Sequence, residues 1–361
     1  MNRLTVKLEK RLTPSPVMAF IIPFISVILA LLLGAIFLSL TGQKPLDVYA
    51  TMFGETLGSK YGLTETMVKA IPLMLTSLGV SLAFKMQLWN IGAEGQLYMG
   101  AFGASWLPLT FPTLPIYLML PGMILLGMAA GGLWALLTAL PRAIWKVNEI
   151  ITSLMLNYVA ILWVDYLVYG PWKDPKGSNF PLSAPFPDAA RLPGLGNSRI
   201  HAGLIFAVLL AIILAVVFKY SRWGYSIKVI GSSERAASYA GMNIKRNIFW
   251  VMFISGAISG LAGMAEVSGI IGKLQHGLSP GYGYTAIIVA WLSKLNPLTI
   301  IIVSVLFGAL QVGGYSVQLM GVPAAVATML QGAILFFVLG GDILTNYRVI
   351  LASRKGEEVR H

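Results

Sequence analysis

Ten stretches of this chain are apolar over roughly the distance a helix needs to cross a bilayer, about 20 residues, and few folds tolerate that. They run over 17–40, 64–84, 90–111, 114–140, 147–169, 200–219, 247–271, 282–295, 298–316 and 322–343, the eighth being short. Hydrocarbon offers backbone N–H and C=O groups no water, so only helices or a closed barrel can span it. The runs lack the period-two alternation of a barrel. The sequence therefore predicts an all-α, polytopic membrane protein of about ten transmembrane helices, a single membrane domain over residues 1–361. Charged residues make up 11% of the chain, against about 25% in soluble proteins, which agrees with a bilayer as solvent.

The basic residues lie between the apolar runs. With ten spans both termini fall on one side, and that side holds 18 of the 26 lysines and arginines. By the excess of positive charge in cytoplasmic loops it is the cytoplasm, giving a multi-pass membrane protein with both termini cytoplasmic. The net charge of +12 is read as membrane orientation, with no nucleic-acid partner. Arg3, Lys7, Lys10 and Arg11 precede the first run as in a signal peptide, but Val17 to Leu40 exceeds the about 7–15 residues of a signal core and is taken as a span. The chain has no cysteine, which excludes disulfides and thiolate chemistry. His201, His276 and His361 are too scattered for a histidine-rich metal site.

Two connections carry more than a turn. The outer one, 170–199, holds Pro171, Pro175, Pro181, Pro185, Pro187 and Pro193, which rules out a regular helix. The inner one, 220–246, surrounds Ser233 to Tyr239, a stretch of helix formers, with basic residues. Spans two to five start outside and spans seven to ten start inside, so two four-helix blocks form a candidate inverted repeat of the kind transporters use for alternating access.

Polar residues inside such spans are candidate path residues, since burying a charge at the bilayer centre costs about 2.5–3.5 kcal/mol. Asn90, Glu94 and Gln96 stand among Gly92, Gly95 and Gly100 at the start of span three; for Glu94 the alternative is local capping, or pairing with Lys85. Span five opens with Asn148 and Glu149, and Glu149, Ser153 and Asn157 share one helix face. Interhelical hydrogen bonding is the alternative role for that stripe. Gly256 and Gly260 form a GxxxG pair suited to close packing, and Glu266 sits near the outer end of span seven. Trp89, Tyr98 and Tyr158 are aromatic surfaces on which a base would stack, or membrane-interface anchors.

No phosphate loop, HExxH or GxSxG motif occurs. The chain is therefore not expected to hydrolyse ATP by itself, and no nucleophile, metal or acid–base constellation points to an enzyme.

Asn90-Ile-Gly-Ala-Glu-Gly-Gln96, the Asn148-Glu149 opening, the run Ile230 to Met242 and Ile254 to Gly263 together resemble the binding-protein-dependent ABC importer permeases of ribose, branched-chain amino-acid and nucleoside systems. The resemblance covers about Pro45 to Val349 and is nearest to the larger nucleoside permease. It implies a non-catalytic subunit that carries nucleosides by alternating access. Its partners would be an ABC ATPase holding ATP and magnesium, a second similar permease, an extracellular solute-binding lipoprotein and membrane lipid. It also maps a coupling helix onto Gly231 to Gly241, with Glu234, Arg235, Ala236, Ala237 and Gly241 as matching positions. A sugar or other small-solute ABC permease, and a stand-alone secondary transporter, remain the other readings.

Overall fold

The computed structural model describes residues 4–10, 16–177, 179–196, 198–323 and 325–353, so Arg3, Arg11 and His361 lie outside the described residues. Thirteen α-helices are described: α1 (Pro16–Leu40), α2 (Pro45–Leu57), α3 (Lys60–Lys85), α4 (Ala93–Thr110), α5 (Ile116–Trp145), α6 (Glu149–Tyr169), α7 (Gly203–Tyr220), α8 (Arg222–Ser232), α9 (Glu234–Tyr239), α10 (Ile244–Glu266), α11 (Tyr282–Leu292), α12 (Pro297–Ser316) and α13 (Ala325–Asn346). The strands β1 (Leu4–Lys10) and β2 (Tyr347–Ser353) pair antiparallel, Leu4 opposite Ser353. That ribbon is an addition to the all-helical expectation; Leu4-Thr-Val-Lys-Leu-Glu-Lys10 alternates apolar and polar residues with the period of a strand.

Among the described residues, seven helical segments are long and apolar enough to cross a membrane: Ile21–Leu40, Lys60–Lys85, Ile116–Trp145, Glu149–Tyr169, Gly203–Tyr220, Ile244–Ile271 and Pro297–Ser316. The other three expected spans are also helical. Of these, α11 has 11 residues, about 16 Å of helix, and α4 begins with Glu94 and Gln96. Hydropathy alone missed α2 and α8, which mix polar and apolar residues. The segment 170–199 is irregular, as its prolines require, apart from a 3-10 turn at Asp188–Ala190.

The chain divides into two compact units. In the unit of Met1–Thr51 and Val317–His361, α1 packs along α13, and Tyr49 Oη donates to Leu31 O at 2.7 Å. In the unit of Met52–Ser316 the centre is made by α3 and α10, 89% and 78% buried along their spans, whereas α6 and α7 are 28% buried and present one face inward. Small residues bring these helices together. A side chain at Gly100 would meet Gly260 Cα at 2.2 Å, and one at Gly256 would meet Gly131 O at 2.5 Å, the close approach that small residues permit in membranes.

Candidate coupling and translocation site

Between α3 and α4 the helix is interrupted. Gln87 adopts a left-handed φ of 59°, and Asn90 Oδ1 accepts the Gly92 N–H at 3.1 Å, a local turn that competes with helix. The interruption carries the polar residues singled out in the sequence. Asn90 and Gln96 exchange amide hydrogen bonds at 3.0 and 2.8 Å, and Asn90 Nδ2 also donates to Ser255 Oγ of α10 at 2.9 Å. Ser255 in turn donates to Gly79 O of α3 at 2.7 Å. Three elements are thus tied at one fully buried point, where each satisfied amide avoids a desolvation cost of about 1–3 kcal/mol.

Asn157 of α6 clamps the same interruption from the other side. Its Oδ1 accepts from Gly95 N at 2.8 Å, and its Nδ2 donates to Ile91 O at 2.9 Å and Tyr284 Oη at 3.3 Å. Ser153, one turn earlier, bonds back to Ile150 O at 3.1 Å. Asn148 is exposed and caps α6 by accepting the Ile150 N–H at 2.9 Å.

Glu94 does not meet Lys85, whose Nζ lies over the Phe218 ring at 4.7 Å. Instead Glu94 Oε2 accepts the backbone N–H of Gly283 at 2.6 Å. A side chain on Gly283 would lie 2.2 Å from Glu94 N, so the first turns of α4 and α11 touch backbone to backbone. Two helix N-termini therefore converge on one buried carboxylate, and the partial positive charge at each favours it. Interrupted helices meeting inside a membrane bundle are the arrangement transporters use for solute sites.

A charged chain leads from this point to α9. Trp89 N, inside the interruption, donates to Glu149 Oε1 at 3.2 Å. Glu149 Oε2 lies 3.3 Å from Arg142 Nε at the end of α5, and Arg142 Nη2 lies 3.4 Å from Glu234 Oε1 in α9. The expected coupling residue Glu234 and the expected path residue Glu149 thus share one arginine, which the sequence reading passed over. Its only sequence signal was a lone arginine six residues before Asn148.

The short helix α9 is capped by Ser233 Oγ on Ala236 N at 3.2 Å and is followed, after Ala240, by Gly241, whose φ of 73° favours glycine. Ala237 is buried and anchors it, while Glu234, Arg235 and Ala236 are exposed. Tyr239, absent from the sequence-based set, is 94% exposed. Of the aromatic candidates, Trp89 stacks on Trp291 at 5.7 Å, Tyr98 Oη accepts from Ser279 N at 3.4 Å, and Tyr158 is exposed. Glu266 is buried and hydrogen-bonded to Tyr282, to which Lys69 Nζ donates at 3.3 Å. Among the described residues no group of three or more metal-ligating side chains occurs.

Residues 62–339 match the model of a family described as "Branched-chain amino acid transport system / permease component". The glucose ABC transporter permease protein TsgB13 of Haloferax volcanii is 38% identical over 98% of this chain and 96% of its own length. The guanosine permease NupP of Bacillus subtilis is 31% identical over 88% and 92%, and the nucleoside permease NupB of Lactococcus lactis 29% over 88% and 90%. The last two organisms each supply a second similar permease, NupQ at 28% and NupC at 26% identity.

Proposed function

Because the chain belongs to the branched-chain amino acid transport system permease family, we propose that it is the membrane-spanning subunit of an ATP-driven importer that moves nucleosides by alternating access. ATP and magnesium bind a partner ATPase that docks on α9. The carrying observation is the run of contacts Glu234–Arg142–Glu149–Trp89, which joins an exposed helix to the interruption ahead of α4. A push on α9 therefore reaches the buried junction of Asn90, Glu94, Gln96 and Asn157 without passing through a flexible linker. Those four residues, with Glu149, flank the path, and Glu234, Arg235, Ala236, Ala237 and Gly241 form the coupling element. Asn148 serves as the cap that fixes where α6 starts.

In this reading α4, α11 and α13 complete ten crossings, with α4 and α11 opposed as corresponding members of an inverted repeat. The β1–β2 ribbon brings both ends of the described chain together, which supports an even number of crossings, and the charge distribution supports a cytoplasmic location for those ends. Two similar permeases in each of two organisms support pairing with a second permease, and an extracellular binding lipoprotein delivers solute to the outer face near 170–199.

Sugar transport is the second reading, favoured by the 38% identity to a glucose permease. Sugars and nucleosides are both neutral and carry neighbouring hydroxyls, so a path of amides and the buried carboxylates of Glu94 and Glu149 suits either. Uptake of radiolabelled nucleosides and monosaccharides into a strain deleted for this chain, and into the complemented strain, separates them. Nucleoside uptake restored by the chain is the expected result; restoration of glucose alone replaces the solute assignment, and restoration of neither rejects both.

A further inference from the structure

Beside the coupling element the same unit carries a two-part cavity that the transport reading does not use. Its polar part, about 490 Å³, is lined by Trp223 and Ser226 of α8 and by Met242, Asn243, Arg246, Asn247, Trp250 and Ile254. Its apolar part, about 330 Å³, is lined by Leu136, Phe249, Trp250 and Phe253. Trp250 borders both, so the two adjoin at that side chain.

The order of residues along α10 matters. Asn243, Arg246, Asn247, Trp250, Phe253 and Ile254 recur at helical spacing on one face, polar at the N-terminal end and wholly apolar within about 15 Å. That gradient reproduces the passage from headgroup to acyl chain at a membrane boundary. Among the described residues Arg246 is exposed and has no ion-pair partner, Lys245 precedes it in the chain, and Arg222 adjoins the lining residue Trp223. Trp250 is 50% exposed, placed as an amphipathic ring at the interface.

We propose that this slot binds one anionic phospholipid, with its phosphate on the Arg246 guanidinium and the Asn243 side-chain amide and one acyl chain along Leu136, Phe249 and Phe253. Charge complementarity selects the headgroup, because a zwitterionic lipid leaves Arg246 with no net countercharge. A polar and an apolar compartment that adjoin at Trp250 suit a lipid better than free phosphate. Met242 lines the head compartment directly after Gly241, so the lipid touches the joint between α9 and α10 and stiffens it. The inference depends on the chain lying in a bilayer and is independent of which solute it carries.

The test is native mass spectrometry of the full chain released from nanodiscs of equimolar phosphatidylcholine and phosphatidylglycerol. Preferential retention of phosphatidylglycerol is expected, reduced about fivefold by Arg246→Gln, the effect of one basic residue near an anionic surface. Phe253→Ala is expected to lower retention of both lipids, and Lys173→Ala in the outer connection to change nothing; elution profiles confirm that each variant is folded. Equal retention of the two lipids, a preference that survives Arg246→Gln, or full displacement by inorganic phosphate overturns the proposal. So does recovery of the assembled transporter with a protein segment, and no lipid, in the slot.

Discussion

Glu94 occupies the second position of α4 and accepts the N–H of Gly283, 189 residues further along the chain. Glu94→Ala removes that acceptor and should cost about 1–3 kcal/mol, whereas Glu94→Gln, which keeps a side-chain carbonyl, should cost less; thermal unfolding in detergent measures both. Gly283→Val should abolish uptake, because its Cβ falls on Glu94 backbone, which cannot rotate away as a side-chain tip does. The carboxylate itself was legible in the sequence, since a charge among glycines at the start of a span needs an explanation. Its partner was not, because nothing local marks a contact of that separation. The same holds for Asn90 and Ser255: the amide is visible and its distant acceptor is not. Interhelical bonding, the structural alternative for the Glu149–Ser153–Asn157 face, describes the contacts of Asn157, which ties down the interruption at Ile91 and Gly95.

Among the elements, α9 was easy to find and α2 was not. Ser233 followed by Glu234 is a helix-start signal, and Gly241 is the expected stop, so the short helix reads directly from its ends. By contrast α2 starts at Pro45 but mixes Asp47 and Glu55 with apolar residues, and a search for apolar runs passes over it. The interruption before α4 was half legible: the glycines at 92, 95 and 100 permit local unwinding, yet the expected span began at Asn90, three residues before the helix does. Tyr239 of α9 is 94% exposed and free to meet a partner. Tyr239→Ala should weaken binding of the ATPase by about 2 kcal/mol or more if it anchors the interface, read by titrating purified ATPase onto the reconstituted permease. Secondary structure should be unchanged, since the side chain touches almost nothing in this chain.

For the molecule as a whole, seven helical segments among the described residues are long and apolar enough to cross a membrane, whereas α4 carries Glu94 and Gln96 and α11 has 11 residues, which is why the span count was less legible than the helices themselves. The absence of cysteine makes topology directly measurable. A single Tyr239→Cys should react with an impermeant maleimide only after the membrane is opened, and Lys176→Cys should react in intact cells. The opposite pattern would invert the whole arrangement and remove α9 from any cytosolic ATPase.

In the proposed mechanism Arg142, held between Glu234 and Glu149, passes motion from α9 to the buried junction. The direct measurement is the ratio of solute taken up to ATP hydrolysed by the complete transporter in proteoliposomes, for the natural chain and for Arg142→Ala. With the bridge removed, ATP hydrolysis should persist while uptake per ATP falls at least about fivefold, the lower range of coupling between distant sites. An unchanged ratio in a folded Arg142→Ala transporter would mean that Arg142 does not link α9 to the junction.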